Sequence, residues 1–157
     1  MENKKNELKK IKKIKVSTNY TLLSVGKFSE INKYVHFHKK LKTDIHGKVF
    51  IGKDLESSGA EISFQYMLPE TEIPFYHKHR MNEEIYIFLK GKGQFQVDNE
   101  IFEIEEGSIL KVLPEGKRTW RNNSKSSLIF MVIQTRSNSL ENFTTNDGYG
   151  IRERVEW

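Results

Sequence analysis

The chain has 157 residues, no cysteine and a formal net charge of +5. That length suits one domain with a single core. Without cysteine, disulfides, thiolate metal sites and cysteine nucleophiles are excluded, so any metal is left to histidine, carboxylate, amide or water. Ten Gly, ten Phe and six Tyr favour a compact, turn-rich strand protein over a helical bundle.

Charge is unevenly spread. Residues 1–53 carry 14 lysines against Glu2, Glu7, Glu30 and Asp44, whereas the remainder carries 12 basic and 17 acidic residues. A basic arm can meet nucleic acid or an acidic surface. Residues 1–19, however, contain no arginine, glycine or aromatic residue, which arms that read phosphates and bases normally use. The arm is therefore read as solvated, with nucleic acid set aside as a partner. No apolar signal-like segment opens the chain, and no apolar run reaches about 18 residues. The expectation is a soluble, cytoplasmic protein without membrane association.

In chain order, Leu8, Ile11 and Ile14 support at most a frayed, weakly amphipathic turn. Residues 20–25 read as a strand stopped by Gly26. Ser29 is placed to cap a short helix over 29–35, and His36 and His38 beyond it fit helix or strand. Residues 48–52 read as a short strand, and 60–68 as a longer one with period-two alternation closed by Pro69. From Ile73 to Gln134 six short strands follow, EEIYIFL, GQFQV, IFEIEEG, SILKVLP, TWRN and SLIFMVIQ, punctuated by Gly, Pro, Asp and Asn. Such spacing predicts a β-sandwich or barrel. Asp98-Asn99 suits a two-residue hairpin loop, because both residue types tolerate positive φ. After residue 135 the tail changes character, and Leu140 and Phe143 are expected to pack a short turn back on the barrel. The boundaries are an arm over 1–19, a barrel over 20–135 and a tail over 136–157.

The chemistry-bearing segment is PFYHKHRMNEEIYIFLKGKG, residues 74–93. Two residues apart on a strand, His77 and His79 leave by the same face. If the next strand returns as a hairpin across residues 80–83, Glu84 comes back to the height of the imidazoles. Two neutral imidazoles and one carboxylate suit Fe(II), Mn, Ni, Co or Zn and leave positions open for substrate or water.

These residues resemble the first motif of the cupin superfamily: His-any-His, three or four residues, Glu, six residues, Gly. Here His77-Lys78-His79 is followed by four residues, Glu84, and six more residues to Gly91, while Thr71 stands where the family has a leading glycine. The second motif, Pro-any-Gly, two residues, His, three residues, Asn, is approached by Pro114-Glu115-Gly116, Lys117-Arg118, Thr119 and Asn123. In that frame Thr119 takes the place of the third histidine. The resemblance covers about residues 60–135 and is similar to short single-domain bacterial cupins of the conserved-barrel type. It implies an all-β double-stranded β-helix, a jelly-roll barrel, with extra N-terminal strands and a short C-terminal helical turn. It also implies a divalent transition metal on His77, His79 and Glu84.

Around that centre, strand phase places Arg121 with Thr119, free to meet an anionic substrate or a neighbouring glutamate. Gln134 approaches if its strand turns it inward. Tyr66, Phe75 and Tyr86, with Phe64, Phe88 and Phe95, line a cavity or simply fill the core. His36 and His38 read as surface or strand-edge histidines. Trp120 has the opposite phase and joins Tyr76, Ile85 and Ile87 in an apolar face expected to form a two-fold homodimer. Two functions stand side by side. One is a metal-dependent enzyme acting on a small molecule, of isomerase, lyase or dioxygenase type; the other is a non-catalytic small-ligand-binding or sensing module.

Overall fold

A computed structural model describes residues 8–157, so the first seven residues of the Lys-rich arm lie outside the described part. Strands β1 (Lys12–Ser17) and β2 (Tyr20–Ser24) form a hairpin, followed by a 3-10 helix over Phe28–Lys33. Next come β3 (Val35–His38) and β4 (Thr43–His46), then β5 (Lys48–Phe50), a one-turn helix α1 (Gly52–Leu55) and β6 (Ala60–Met67). The rest is β7 (Thr71–Glu72), β8 (Asn82–Lys90), β9 (Lys92–Val97), β10 (Glu100–Glu105), β11 (Ile109–Val112), β12 (Arg118–Asn122) and β13 (Leu128–Arg136). The six strands expected between Ile73 and Gln134 are all present. Residues 12–17 correct the frayed turn, because pairing with β2 satisfies the backbone that an isolated turn would leave to water. Ser29 does not cap the 3-10 helix; Lys27 holds the cap position without a side-chain bond.

Two antiparallel sheets face each other, with strand orders β10-β9-β12-β7 and β11-β8-β13-β6-β5. This is the all-β double-stranded β-helix, and β1–β4 are the extra N-terminal strands. Inward side chains of both sheets, among them Tyr86, Phe88, Phe95, Leu128, Phe130 and Val132, make the main core, with Trp120 packed against it. The Trp120 ring stacks on Phe95 at 5.5 Å between centroids, a contact worth about 1 kcal/mol beyond burial. A second core lies on the outer side of the larger sheet. There Phe64 packs with Val25, Ile31, Tyr34, Val49 and Ile51, supported by Ile62, Tyr66 and Met131. The N-terminal segment therefore covers a sheet face that would otherwise be left apolar in water.

Gly91, after β8, has φ +85, and a Cβ there would come within 2.2 Å of the Ser127 carbonyl oxygen. Only glycine fits that turn. Asp98 takes positive φ in the two-residue β9–β10 loop, and its carboxylate accepts the Lys117 N–H at 3.0 Å.

Two sequence expectations fail. The tail from residue 137 forms hydrogen-bonded turns, such as Asn146 N–H to the Phe143 carbonyl, rather than a helical turn on the barrel. Leu140 and Phe143 are 63% and 64% exposed. Nor do Tyr76, Ile85, Ile87 and Trp120 share a face. Trp120 points inward, Ile85 and Ile87 lie on the outside of the larger sheet, and Tyr76 bonds to Gln96 outside the smaller one.

Candidate metal centre

Past β7 the chain continues extended alongside β12, although Pro74 lacks an N–H for a regular ladder. Ile73 N–H donates to the Trp120 carbonyl at 3.0 Å, His77 and Arg118 exchange both backbone bonds at 3.1 Å, and His79 N–H donates to the Pro114 carbonyl at 3.1 Å. This extended run keeps Ile73, Phe75, His77 and His79 in one phase, toward a common cavity. Glu84 arrives from the other sheet. The expected hairpin across residues 80–83 is corrected: β8 pairs with β11 and β13, and the loop crosses between the sheets. Closure of the barrel, not a shared ladder, brings the carboxylate to the imidazoles.

One ligand atom from each of His77, His79 and Glu84 lies within 4.8 Å of the other two. His77 Nε2 is 3.5 Å from Glu84 Oε2, and His79 Nε2 is 3.1 Å from Glu84 Oε1. Despite that approach, His79 Nε2 is buried without an aligned hydrogen-bond partner. A buried ring nitrogen without a well-aligned partner is costly unless something satisfies it. Three N and O donors around one point are the set that a divalent transition metal takes, so these residues fit such an ion. Tyr86 donates its hydroxyl to Glu84 Oε2 at 2.5 Å, and Gln134 Nε2 lies 3.4 Å from Oε1. Burial alone would raise the Glu84 pKa; the neighbouring His77, His79 and Tyr86 outweigh it and hold the carboxyl well below the usual range. The group is thus an anion, ready to ligate. Burial pushes the Tyr86 hydroxyl well up, and the adjacent Glu84 charge adds to that, so Tyr86 stays a donor.

The second motif sits one residue earlier than its spacing indicates. Arg118, Trp120 and Asn122 face inward, and Thr119 and Arg121 outward. Thr119 Oγ1 donates to the Ile73 carbonyl at 2.9 Å, and Arg121 Nε donates to Gln94 Oε1 at 2.7 Å. Both line a separate outer groove with Tyr76, Gln94 and Gln96. Arg121 is therefore no pocket residue, and Thr119 does not replace a ligand. Arg118 does: fully buried, its Nε stands 3.2 Å from Glu84 Oε2, and its Nη1 donates to the Gly116 carbonyl at 2.8 Å. Asn122, not Asn123, anchors the following turn, with Nδ2 donating to the Leu68 and Ser126 carbonyls at 2.9 and 2.8 Å. The interval of three residues between ligand position and asparagine survives, while the gap after Gly116 is one residue shorter.

The cavity above the cluster measures about 480 Å³. Phe75, Tyr86 and Gln134 line it as expected, but Tyr66 does not; with Phe64 it faces the N-terminal cover. Its β6 neighbours Glu61, Ser63 and Gln65 face the cavity instead. Phe88 and Phe95 are core. The β3–β4 hairpin forms one side of the mouth, bringing His36, His38, Lys40 and Leu41 to the wall. The two histidines are thus not simple surface residues, and burial lowers the His36 pKa, with His38 and Lys48 adding to the effect. Their His-any-His spacing held the signal; the absence of a following glutamate hid it. Lys48, missed in the sequence, also lines the cavity.

The family model described as Cupin domain matches residues 63–134, the stretch from within β6 into β13 that carries His77, His79 and Glu84. A crystal structure of a cupin protein from Bacteroides fragilis is similar at 38% identity, covering 66% of this chain and 88% of that one, with TM-score 0.64. An uncharacterized protein of Methanocaldococcus jannaschii is 44% identical over 39 residues, 25% of this chain; the match spans only 31% of that relative's length. A predicted oxalate decarboxylase from Thermotoga maritima shares the fold at 18% identity, covering 60% of this chain and 83% of that one, with TM-score 0.52. With the barrel, the histidine pair and the likeness to the Bacteroides protein all pointing the same way, the chain belongs to the cupin family.

Proposed function

We propose that the protein is a metal-binding cupin acting on a small molecule held in the cavity under the β3–β4 hairpin. The observation that carries this reading is the convergence of His77, His79 and Glu84, with His79 Nε2 buried 3.1 Å from a carboxylate held anionic. When bound, a divalent metal supplies Lewis acidity toward an oxygen of the small molecule. The chain's own residues do the rest. Tyr86 and Arg118 fix one oxygen of Glu84, leaving the other turned to His79 and Gln134. The aromatic walls and the hairpin narrow the cavity around the cluster, which strengthens the charges inside.

A second reading, a binding or sensing module without turnover, is favoured by one feature. Arg118 supplies positive charge where a third imidazole would otherwise complete the ligand set. The two separate by assay. Purified without a tag or added metal, the protein should contain a divalent metal by mass spectrometry, and chelation should abolish turnover of cavity-sized compounds. Ligand binding without any turnover by the metal-loaded protein selects the second reading, and failure to bind any metal refutes the first.

A further inference from the structure

Lys48 lies in β5 opposite Gln65, and Phe50 lies opposite Ser63. Directly paired residues share a face, so Lys48 points with Gln65 and Ser63 into the cavity, while Val49 enters the second core. Its ammonium sits 4.9 Å from the centre of the Phe50 ring. Among the described residues it forms no ion pair, whereas the other cations near the cluster are committed or solvated. Arg118 is taken by Glu84, Lys78 by Glu115 at 2.7 Å, and Lys40 is exposed at the hairpin tip. Glu61, on the same wall, accepts the Gly52 N–H at 2.8 Å. An ammonium held inside a cavity without a carboxylate partner is costly, and an arriving anion removes that cost.

We propose that the cavity takes a small organic carboxylate, its acid group held by Lys48 and its carbon body resting on Ile73, Phe75 and Trp120. The inference rests on the metal-binding reading of the same cavity. A carboxylate fits better than a phosphate. Phosphate sites draw on arginine forks and clustered backbone N–H groups, and the one arginine beside the cluster is already spent on Glu84. A single lysine is a point charge that matches a monoanion. The walls are predominantly carbon, so the anion needs an apolar body to fill the space. Burial keeps the Lys48 pKa down to about 8, with Glu84 and Glu61 partly restoring it, so the group is still cationic at neutral pH.

Calorimetric titration of the full chain, loaded with Ni(II), tests this with phenylacetate, phenylacetamide and phenyl phosphate. Phenylacetate should bind at least roughly tenfold more tightly than the amide, the usual effect of a charge-assisted bond. Lys48→Met should abolish that preference without weakening Ni(II) binding, which also shows that the variant is folded; Lys48→Arg should keep most of it. Equal affinity for acid and amide, no binding of the acid, tighter binding of phenyl phosphate, or a preference that survives Lys48→Met overturns the proposal. If Ni(II) does not bind but the Lys48-dependent preference persists, the metal reading falls and the carboxylate assignment stands.

Discussion

Replacing Arg118 with methionine removes the cation that balances Glu84 and leaves the rest of the ligand set in place. Arg118 is 0% exposed, its Nε is 3.2 Å from Glu84 Oε2, and it donates to the Gly116 carbonyl at 2.8 Å. Methionine fills part of the volume but neither neutralises the carboxylate nor satisfies the carbonyl. Breaking a buried pair from one side costs about 3–5 kcal/mol, and the Tyr86 bond to Glu84 softens the loss. The expected cost is about 3 kcal/mol in metal-free protein, or a fall in Tm of roughly 10 °C for a chain of this size. Scanning calorimetry at pH 7 measures it. Repeated with Ni(II), the deficit should shrink, because the ion then supplies the positive charge that Arg118 supplied. A loss below about 1 kcal/mol, or one equally large with and without metal, would refute the pairing of Arg118 with the metal ligand. Arg118→His, by contrast, should raise metal affinity, since it places an imidazole at the third ligand position.

Thr119→Ala should leave metal affinity unchanged and cost only about 1 kcal/mol, the worth of its bond to the Ile73 carbonyl; a change in metal affinity would mean that the side chain reaches the cluster. Lys48→Met should stabilise the metal-free protein by about 2 kcal/mol at pH 7, because a folded pKa of about 8 lies below the unfolded value. That advantage should fade as pH rises from 8 to 10.5 and the wild-type lysine deprotonates in both states; an advantage independent of pH contradicts the burial argument. Glu30 is held down to about 2 by Lys9 and Lys33. Its contribution should be fully present above pH 4.5 and lost on acidification toward pH 2, so the difference between Glu30→Gln and wild type in urea titrations should shrink across that window and vanish below it.

Much of the barrel was legible because each of its strands is short, apolar in alternation and closed by a turn residue. His77 and His79 were legible from their spacing and Glu84 from the motif it resembles, because the hairpin expected to carry it back does not form. What the sequence hid came from tertiary context. In β6 both faces are covered, so alternation could not say which face meets the cavity; the polar set Glu61, Ser63 and Gln65 does, and aromatic Tyr66 does not. Around Arg118 the shortened gap after Gly116 reversed the phase of every residue to Asn123, since a one-residue slip in a strand moves each side chain to the other face. Lys48 carried no signal in the sequence because its ladder partner, Gln65, could be identified only from the register.

Anomalous diffraction from crystals of the Ni(II)- or Mn(II)-loaded protein tests the central claim directly. A single peak is expected inside the barrel, about 2.0–2.2 Å from the ligand atoms of His77, His79 and Glu84, and it should vanish in His79→Ala. A metal bound elsewhere, for instance at His36 and His38, or no peak beside Glu84, would contradict it.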